Sequence, residues 1–353
     1  MRHPRDVLLG ASVADPLPVC DHYCGVEARM RKSLALQLEM AQEFGACVFD
    51  VTLDCEDGAP VGGESDHANM VVTLANQAQV AIKKVAPRIA ARVHPVDHPC
   101  FEQDIEIIVG GVGSALCHVM IPKVESVADV DFAAQRIDHW AAQNGRLNPL
   151  PLHVLIESPA AVFHALEIAA HPRIQSLSFG LMDFVSAHGG AIPASAMGFQ
   201  PEASGQALDQ FSHPLVVRAK LEIAAACHAH GKVPSHCVVT EFGDASAIQN
   251  AARQASRALG YTRMWSIHPA QIRPILDAFS PSQHEIHEAA DIILQASQVD
   301  WAPISFSGKL HDRASYRYFW QVLERAHRTG RSMPNDIQEF FVEADSLTDK
   351  ETS

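Results

Sequence analysis

Short apolar runs of strand character alternate with helical stretches along most of this chain, and that alternation leaves few folds open. Residues 47–53, 89–94, 116–121, 152–156, 176–181, 233–239 and 263–267 read as buried strands. Stretches 27–45, 65–84, 126–143, 160–170, 214–230, 244–258 and 270–278 carry helical spacing. Buried strands joined through helices run parallel, because each crossover returns the chain to the same end of the sheet. An eighth strand, read at 6–13 (DVLLGASV), lets the sheet close into an α/β fold of the (β/α)8 TIM barrel type. An open doubly wound sheet is the rival, but no glycine fingerprint follows an early strand. Gly110, Gly111 and Gly113 precede a strand instead and read as a turn. The barrel is expected over 1–298, with a separate segment over 299–353 that holds a helix at 312–328 and ends in a mobile acidic tail from Asp336.

Composition narrows the function. Of the 353 residues 47% are hydrophobic and 19% charged, which suits a large core and excludes disorder. The net charge of −14, with no basic cluster to offset it, argues against nucleic acid or an anionic membrane as partner. No apolar run reaches the roughly 18 residues of a membrane span. The apolar start, Val7 to Ala14, stops at Asp15, too short for a secretion signal. Eight scattered cysteines read as reduced thiols and place the chain in the cytoplasm. Only Cys20, His22 and Cys24 cluster, and a zinc site there would need a further ligand pair that the sequence does not offer.

In such a barrel the chemistry sits at the carboxyl ends of the strands. Those ends carry Asp54-Cys-Glu56-Asp57-Gly58, Arg92, Pro122-Lys123-Val124-Glu125, Glu157-Ser158-Pro159, Met182-Asp183 and Ser266-Ile267-His268-Pro269. Glu157 and Asp183 end adjacent strands, so they can form a hard-cation site for Mg²⁺ or Mn²⁺, or each can simply cap the helix that follows. Arg92 can hold a carboxylate or a developing oxyanion, or form an internal salt bridge with Glu56 or Asp57. Glu56 and Asp57 read as groups that orient Arg92 and bound water. Lys123 offers Schiff-base chemistry, against the simpler reading of a pair with Glu125. His268 is a helix cap or a substrate contact.

These segments resemble one family. LDCEDGAP is similar to the LDLEDAV element of citrate lyase beta subunits and malyl-CoA lyases, the HpcH/HpaI aldolase group. ARVHPVD resembles that family's arginine strand, usually VRVNPLD, and MIPKVES, LIESP, GLMDF and MWSIHPAQI match further signatures in order. The resemblance, over about 27–330, implies a barrel that forms a trimer or hexamer and makes or breaks a carbon–carbon bond next to a carbonyl. It implies Glu157 and Asp183 as Mg²⁺ ligands and Arg92 as the clamp on substrate and enolate; beside these, the reading of the strand ends counts Glu56 and Asp57 with the catalytic groups and Lys123 and His268 with the substrate contacts. GKLHDRAS resembles the family's C-terminal lid, which serves a neighbouring subunit and nominates Asp312 as acid/base group. The family's opening arginine and LFVPG, which support coenzyme A, are replaced here by LPVCDHYCG.

Three functions follow from that reading. One is a Mg²⁺-dependent lyase of a 3-hydroxyacyl-CoA such as malyl-CoA, releasing a glyoxylate-like 2-oxo acid. Another is a metal-dependent aldolase of free hydroxy-oxo acids. The third is a citrate-lyase-beta-like subunit of a larger complex.

Overall fold

The computed structural model describes residues 3–10, 16–80, 85–112, 115–199 and 208–348. Eight parallel strands close into a barrel in chain order: β1 (Cys20–Cys24), β2 (Phe49–Asp54), β3 (Ile89–Arg92), β4 (Leu116–Ile121), β5 (Leu152–Ile156), β6 (Ile174–Phe179), β7 (Val233–His236) and β8 (Arg263–Ser266). Closure comes from β1, which pairs Cys20 with Phe49 on one side and with Met264 on the other.

The first strand is not the one expected at 6–13. Pro4–Leu8 is a helix, with Pro4 pre-set for the first turn and the His3 ring accepting from the Arg5 N–H; residues 11–15 lie outside the described residues. β1 is instead the CDHYC segment itself. Its outward side chains pack under the surrounding helix: the His22 ring lies 2.6 Å from Ser266 Oγ and 3.0 Å from Ser33 Oγ. Burial pushes the Cys20 and Cys24 thiols up to about 12. Both His22 ring nitrogens face serine hydroxyls, and among the described residues Cys20, His22 and Cys24 belong to no cluster of ligand atoms close enough to share an ion, which leaves the zinc reading without support. All eight cysteines are free.

A strand alternates its faces, so each step of two residues lifts the inward side chain by about 6.6 Å, one layer of the barrel. The floor is polar: Asp21, Asp50, His118, His153 and Arg263 are all fully buried. Arg263 Nη2 reaches Asp21 Oδ2 at 2.8 Å and Asp50 Oδ2 at 2.6 Å, and Arg88 Nε meets Asp50 Oδ1 at 2.5 Å. Two cations thus balance two carboxylates. Two residues further along the strands the barrel turns apolar, with Tyr23, Met120, Leu155, Val238 and Trp265 forming one cluster. Another step brings the polar rim described below.

The chain forms two compact units, one over 18–278, the other made of the stretches up to 17 and from 279 onward. The expected boundary at 298 differs because helix Gln283–Gln298 turns Ile286, Ala289 and Ile293 into a core with Trp320, Leu323, Ile337 and Phe341 of the second unit. Where a mobile tail is expected from Asp336, the described residues form a helix, Asn335–Thr348, which buries Ile337 and Phe341 in that core; residues 349–353 lie outside the described residues. Within 184–213, read as one loop, lie the end of helix Leu181–Ser186 and a short 3-10 turn at Ala194–Met197; residues 200–207 are outside the described set. Gly110 and Gly111 are helical rather than in a turn, and Gly113 is not described. Among the described residues no helix is long and apolar enough to cross a membrane.

Replacing Arg263 by Leu strips the floor carboxylates of their shared cation. Removing one partner of a buried ion cluster costs about 3–5 kcal/mol, so the urea midpoint of Arg263→Leu should fall steeply. A midpoint equal to the wild type would show that the floor ions do not hold the barrel.

Candidate active site

The rim is built around Arg92, the last residue of β3, which pairs in register with Asp54 at the end of β2. Asp54 receives Arg92 Nε on Oδ1 and Nη2 on Oδ2, each at 2.6 Å, a fork-to-fork pair. The same carboxylate accepts the backbone N–H groups of Glu56 and Gly58 at 3.0 and 2.9 Å, so it also shapes the loop after β2. A Cβ on Gly25 would overlap the Gly58 carbonyl, which fixes the loop after β1 against this one. Glu56 Oε2 forms an ion pair with Arg92 Nη1 at 2.9 Å, and Tyr23 lies under the guanidinium with its ring centre 5.5 Å away. Asp54 takes two of the five guanidinium N–H groups and Glu56 pairs with Nη1, so the donors of Arg92 are not exhausted.

The expected salt bridge of Arg92 is therefore real but differently shared: Glu56 takes part and Asp54 dominates. Asp57 is exposed and instead lies 3.5 Å from Lys123 Nζ. Asp54 and Tyr23 were not read as functional from the sequence. In-register pairing of Asp54 with Arg92 was the missing information, since an Asp one strand away from an Arg becomes its partner only when the register is known.

Lys123 links the two halves of the rim. Its backbone is left-handed, with φ 53°, which turns its N–H onto Glu157 Oε2 at 2.8 Å while Nζ meets Glu56 Oε1 at 2.6 Å. Partial burial favours the neutral amine, but Glu56 and Asp57 outweigh it and hold the ammonium above the usual lysine range. A Schiff-base lysine needs the opposite shift. Glu125, the partner expected for Lys123, instead accepts from Ser158 Oγ at 2.7 Å.

Glu157 follows β5 and is 6% exposed; Asp183 stands in the first turn of helix Leu181–Ser186, after β6. Neither caps a helix: Ser158 caps Pro159–Ala170, and Gly180 holds the cap position before Leu181. Burial, with the charge of Asp183 second, pushes the Glu157 carboxyl up to about 8. Gly180 lies so close to Glu157 that any Cβ there would overlap the carboxylate, a cradle that holds it in place. Two carboxylates, one of them keeping a proton for want of a counter-charge, are a donor set that fits a hard divalent cation.

A second carboxylate–imidazole group lies on the barrel floor, where ligand atoms of Asp21, His118 and His153 fall within 4.8 Å of one another. Burial keeps both imidazoles neutral, pushing His153 down to about 3. That group fits a cation less well than the rim pair. Arg263 already occupies Asp21, and the two rings stack 3.5 Å apart at 15°, so their in-plane lone pairs run side by side rather than converging.

His268 is exposed, stacks on Phe242 at 4.9 Å, and accepts the Ala270 N–H on Nδ1 at 3.2 Å. Asp312 belongs to the second unit. There it caps helix Arg313–Arg328, taking the N–H groups of Ala314 and Ser315 on Oδ1.

Known proteins share this arrangement of elements. The profile of the HpcH/HpaI aldolase/citrate lyase family matches residues 34–269. An L-malyl-CoA/beta-methylmalyl-CoA lyase of Cereibacter sphaeroides is 29% identical over 302 residues, 81% of this chain and 90% of that protein. One of Rhodobacter capsulatus is 31% identical over 247 residues, 67% and 76% of the two chains. The crystal structure of a citrate lyase from Burkholderia xenovorans LB400 superposes with a TM-score of 0.76 at 46% identity, covering 94% of this chain and 98% of that one. CitE of Mycobacterium tuberculosis, in complex with magnesium, acetoacetate and coenzyme A, shares the fold at 22% identity, with a TM-score of 0.62 over 88% of this chain and 98% of that one. The chain belongs to the HpcH/HpaI aldolase/citrate lyase family and is a carbon–carbon lyase of its citrate lyase beta/malyl-CoA lyase kind.

Proposed function

We propose that the chain is a Mg²⁺-dependent lyase that cleaves a 3-hydroxyacyl-CoA such as malyl-CoA into an acyl-CoA and a glyoxylate-like 2-oxo acid. The observation that carries this reading is the pair Glu157 and Asp183 on the rim beside a guanidinium whose N–H groups are not all taken. The relatives named malyl-CoA lyases support the thioester. Glu157 and Asp183 would hold the metal, which supplies a Lewis acid for the carbonyl and carboxylate of the 2-oxo acid; Mn²⁺ suits the same oxygens. Arg92, fixed by Asp54 and Glu56, stabilises the oxygen on which charge develops as the carbon–carbon bond breaks. Lys123 holds Glu56 and Glu157 in place. His268, on the loop after β8, contacts the substrate. Asp312, acting on the site of a neighbouring copy in a trimer or hexamer, moves the proton. The free thiols suit a reducing compartment, the cytoplasm.

A second reading, an aldolase of free hydroxy-oxo acids, draws support from LPVCDHYCG, which enters β1 without the arginine and glycine of the coenzyme-binding element. Calorimetric titration of coenzyme A thioesters into the Mg²⁺-loaded protein separates the two. Saturable binding that glyoxylate strengthens is the outcome expected of the lyase; absence of thioester binding would leave the aldolase.

Metal uptake should release a proton, because Glu157 is mostly protonated at pH 7 and must ionise to bind. Titration of Mg²⁺ in buffers of different ionisation enthalpy should show release of close to one proton at pH 7. That release should vanish, and affinity level off, as pH rises well past about 8. Asp183→Ala should abolish the binding heat with the fold intact; undiminished Mg²⁺ binding in that variant would remove Asp183 from the metal site.

Asp312→Ala should lower turnover by about 10²–10⁴, the usual range for an acid/base group, with little change in metal affinity. Mixed with inactive Asp183→Ala under subunit exchange, it should regain activity. Failure to regain it in exchanged oligomers would confine each site to one chain.

A further inference from the structure

Beside the Glu56–Lys123 pair the barrel unit holds a cavity of about 290 Å³, lined among others by Asp57, Glu64, His94 and His98. His94 stands where the arginine strand VRVNPLD of the resembling family has asparagine, two residues beyond Arg92. Its surroundings are those of a fixed tautomer. Asp104, 1% exposed, accepts both the His94 backbone N–H, at 2.9 Å, and Nδ1–H, at 2.6 Å, on the same oxygen, Oδ2. Two N–H donors on one carboxylate oxygen assign the ring proton to Nδ1 and leave Nε2 with a lone pair. Burial raises the Asp104 carboxyl, and the His94 hydrogen bonds oppose that shift.

His98 has the opposite tautomer. Its Nδ1 accepts the Cys100 N–H at 3.2 Å, so in the neutral ring Nε2 carries the proton. The two rings stack 4.3 Å apart at 12°. Side by side they present one acceptor and one donor. A carboxylate only accepts and would face Glu56, Asp57 and Glu64; an ammonium only donates. A hydroxyl does both at a single atom.

We propose that His94 and His98 clasp a hydroxyl group of the substrate, and that the 2-oxo acid handled here is a hydroxylated one larger than glyoxylate. This rests on the reading of the rim as a 2-oxo acid site. It assigns His94 and His98 to specificity, with Asp104 as a positioning residue that fixes the His94 tautomer. It also gives a reason for the departure from asparagine: an acceptor locked by a buried carboxylate is a directional partner, where an amide can rotate.

The test is binding rather than turnover. Into the full chain loaded with Mg²⁺, pyruvate and 3-hydroxypyruvate are titrated as one pair, 2-oxobutyrate and 4-hydroxy-2-oxobutyrate as another. Two hydrogen bonds made by one hydroxyl should tighten binding about tenfold or more in at least one pair. His98→Leu, at an exposed position, and His94→Leu should each bring the ratio of affinities towards one. Equal affinities within both pairs, or a preference that survives in both variants, overturns the hydroxyl clasp and leaves the 2-oxo acid reading standing. If none of the four binds while glyoxylate does, the clasp falls and the 2-oxo acid reading stands; if glyoxylate fails as well, both fall together.

Discussion

Guanidinium groups cannot be left alone inside a barrel, and two of them organise this one. Arg263 on the floor ties β8 to Asp21 of β1 and Asp50 of β2, the seam at which the sheet closes. Arg92 on the rim ties β3 to Asp54 of β2. Between them lies a largely apolar layer that separates the two ion clusters. The inner face is thus charged at both ends and largely apolar in the middle, and its period of two residues carries that layering along every strand that contributes to it. Burying these charges is tolerable only because each is paired and hydrogen-bonded.

The rim turns the same necessity into chemistry. Asp54 neutralises Arg92 without exhausting its donors, so the guanidinium stays rigid yet still has N–H groups to offer. Glu157 is the reverse case, a buried carboxylate denied a matching cation by the chain itself. A group left electrostatically incomplete within a complete framework is where an external charge is best accommodated. On the floor, by contrast, each carboxylate already has a guanidinium against it.

Most of the architecture was legible in the sequence because seven of the barrel strands are apolar runs bounded by turns. The eighth was misplaced because CDHYC buries Asp21 and His22 on opposite faces, so hydropathy rejects it although both residues are partnered. DVLLGASV looks more like a strand, yet Pro4 and the His3 cap start a helix there. The candidate residues Arg92, Glu157 and Asp183 were legible from their place at strand ends. Their partners were not. Pairing of Arg92 with Asp54, and of Lys123 with Glu56 rather than Glu125, depends on strand register and on a left-handed backbone, neither of which a sequence displays. The helix at 335–348 escaped notice because acidic composition hid the spacing of Ile337 and Phe341.

Lys123 has an evolutionary consequence. One residue spends its backbone N–H on Glu157 and its ammonium on Glu56, so the carboxylate pair and the arginine cluster share a single hinge point. Changes on either side of that point should be epistatic: a substitution tolerated at Glu56 in one background will be felt at Glu157 in another. Retuning the clamp therefore disturbs the carboxylate proposed to hold the metal with it.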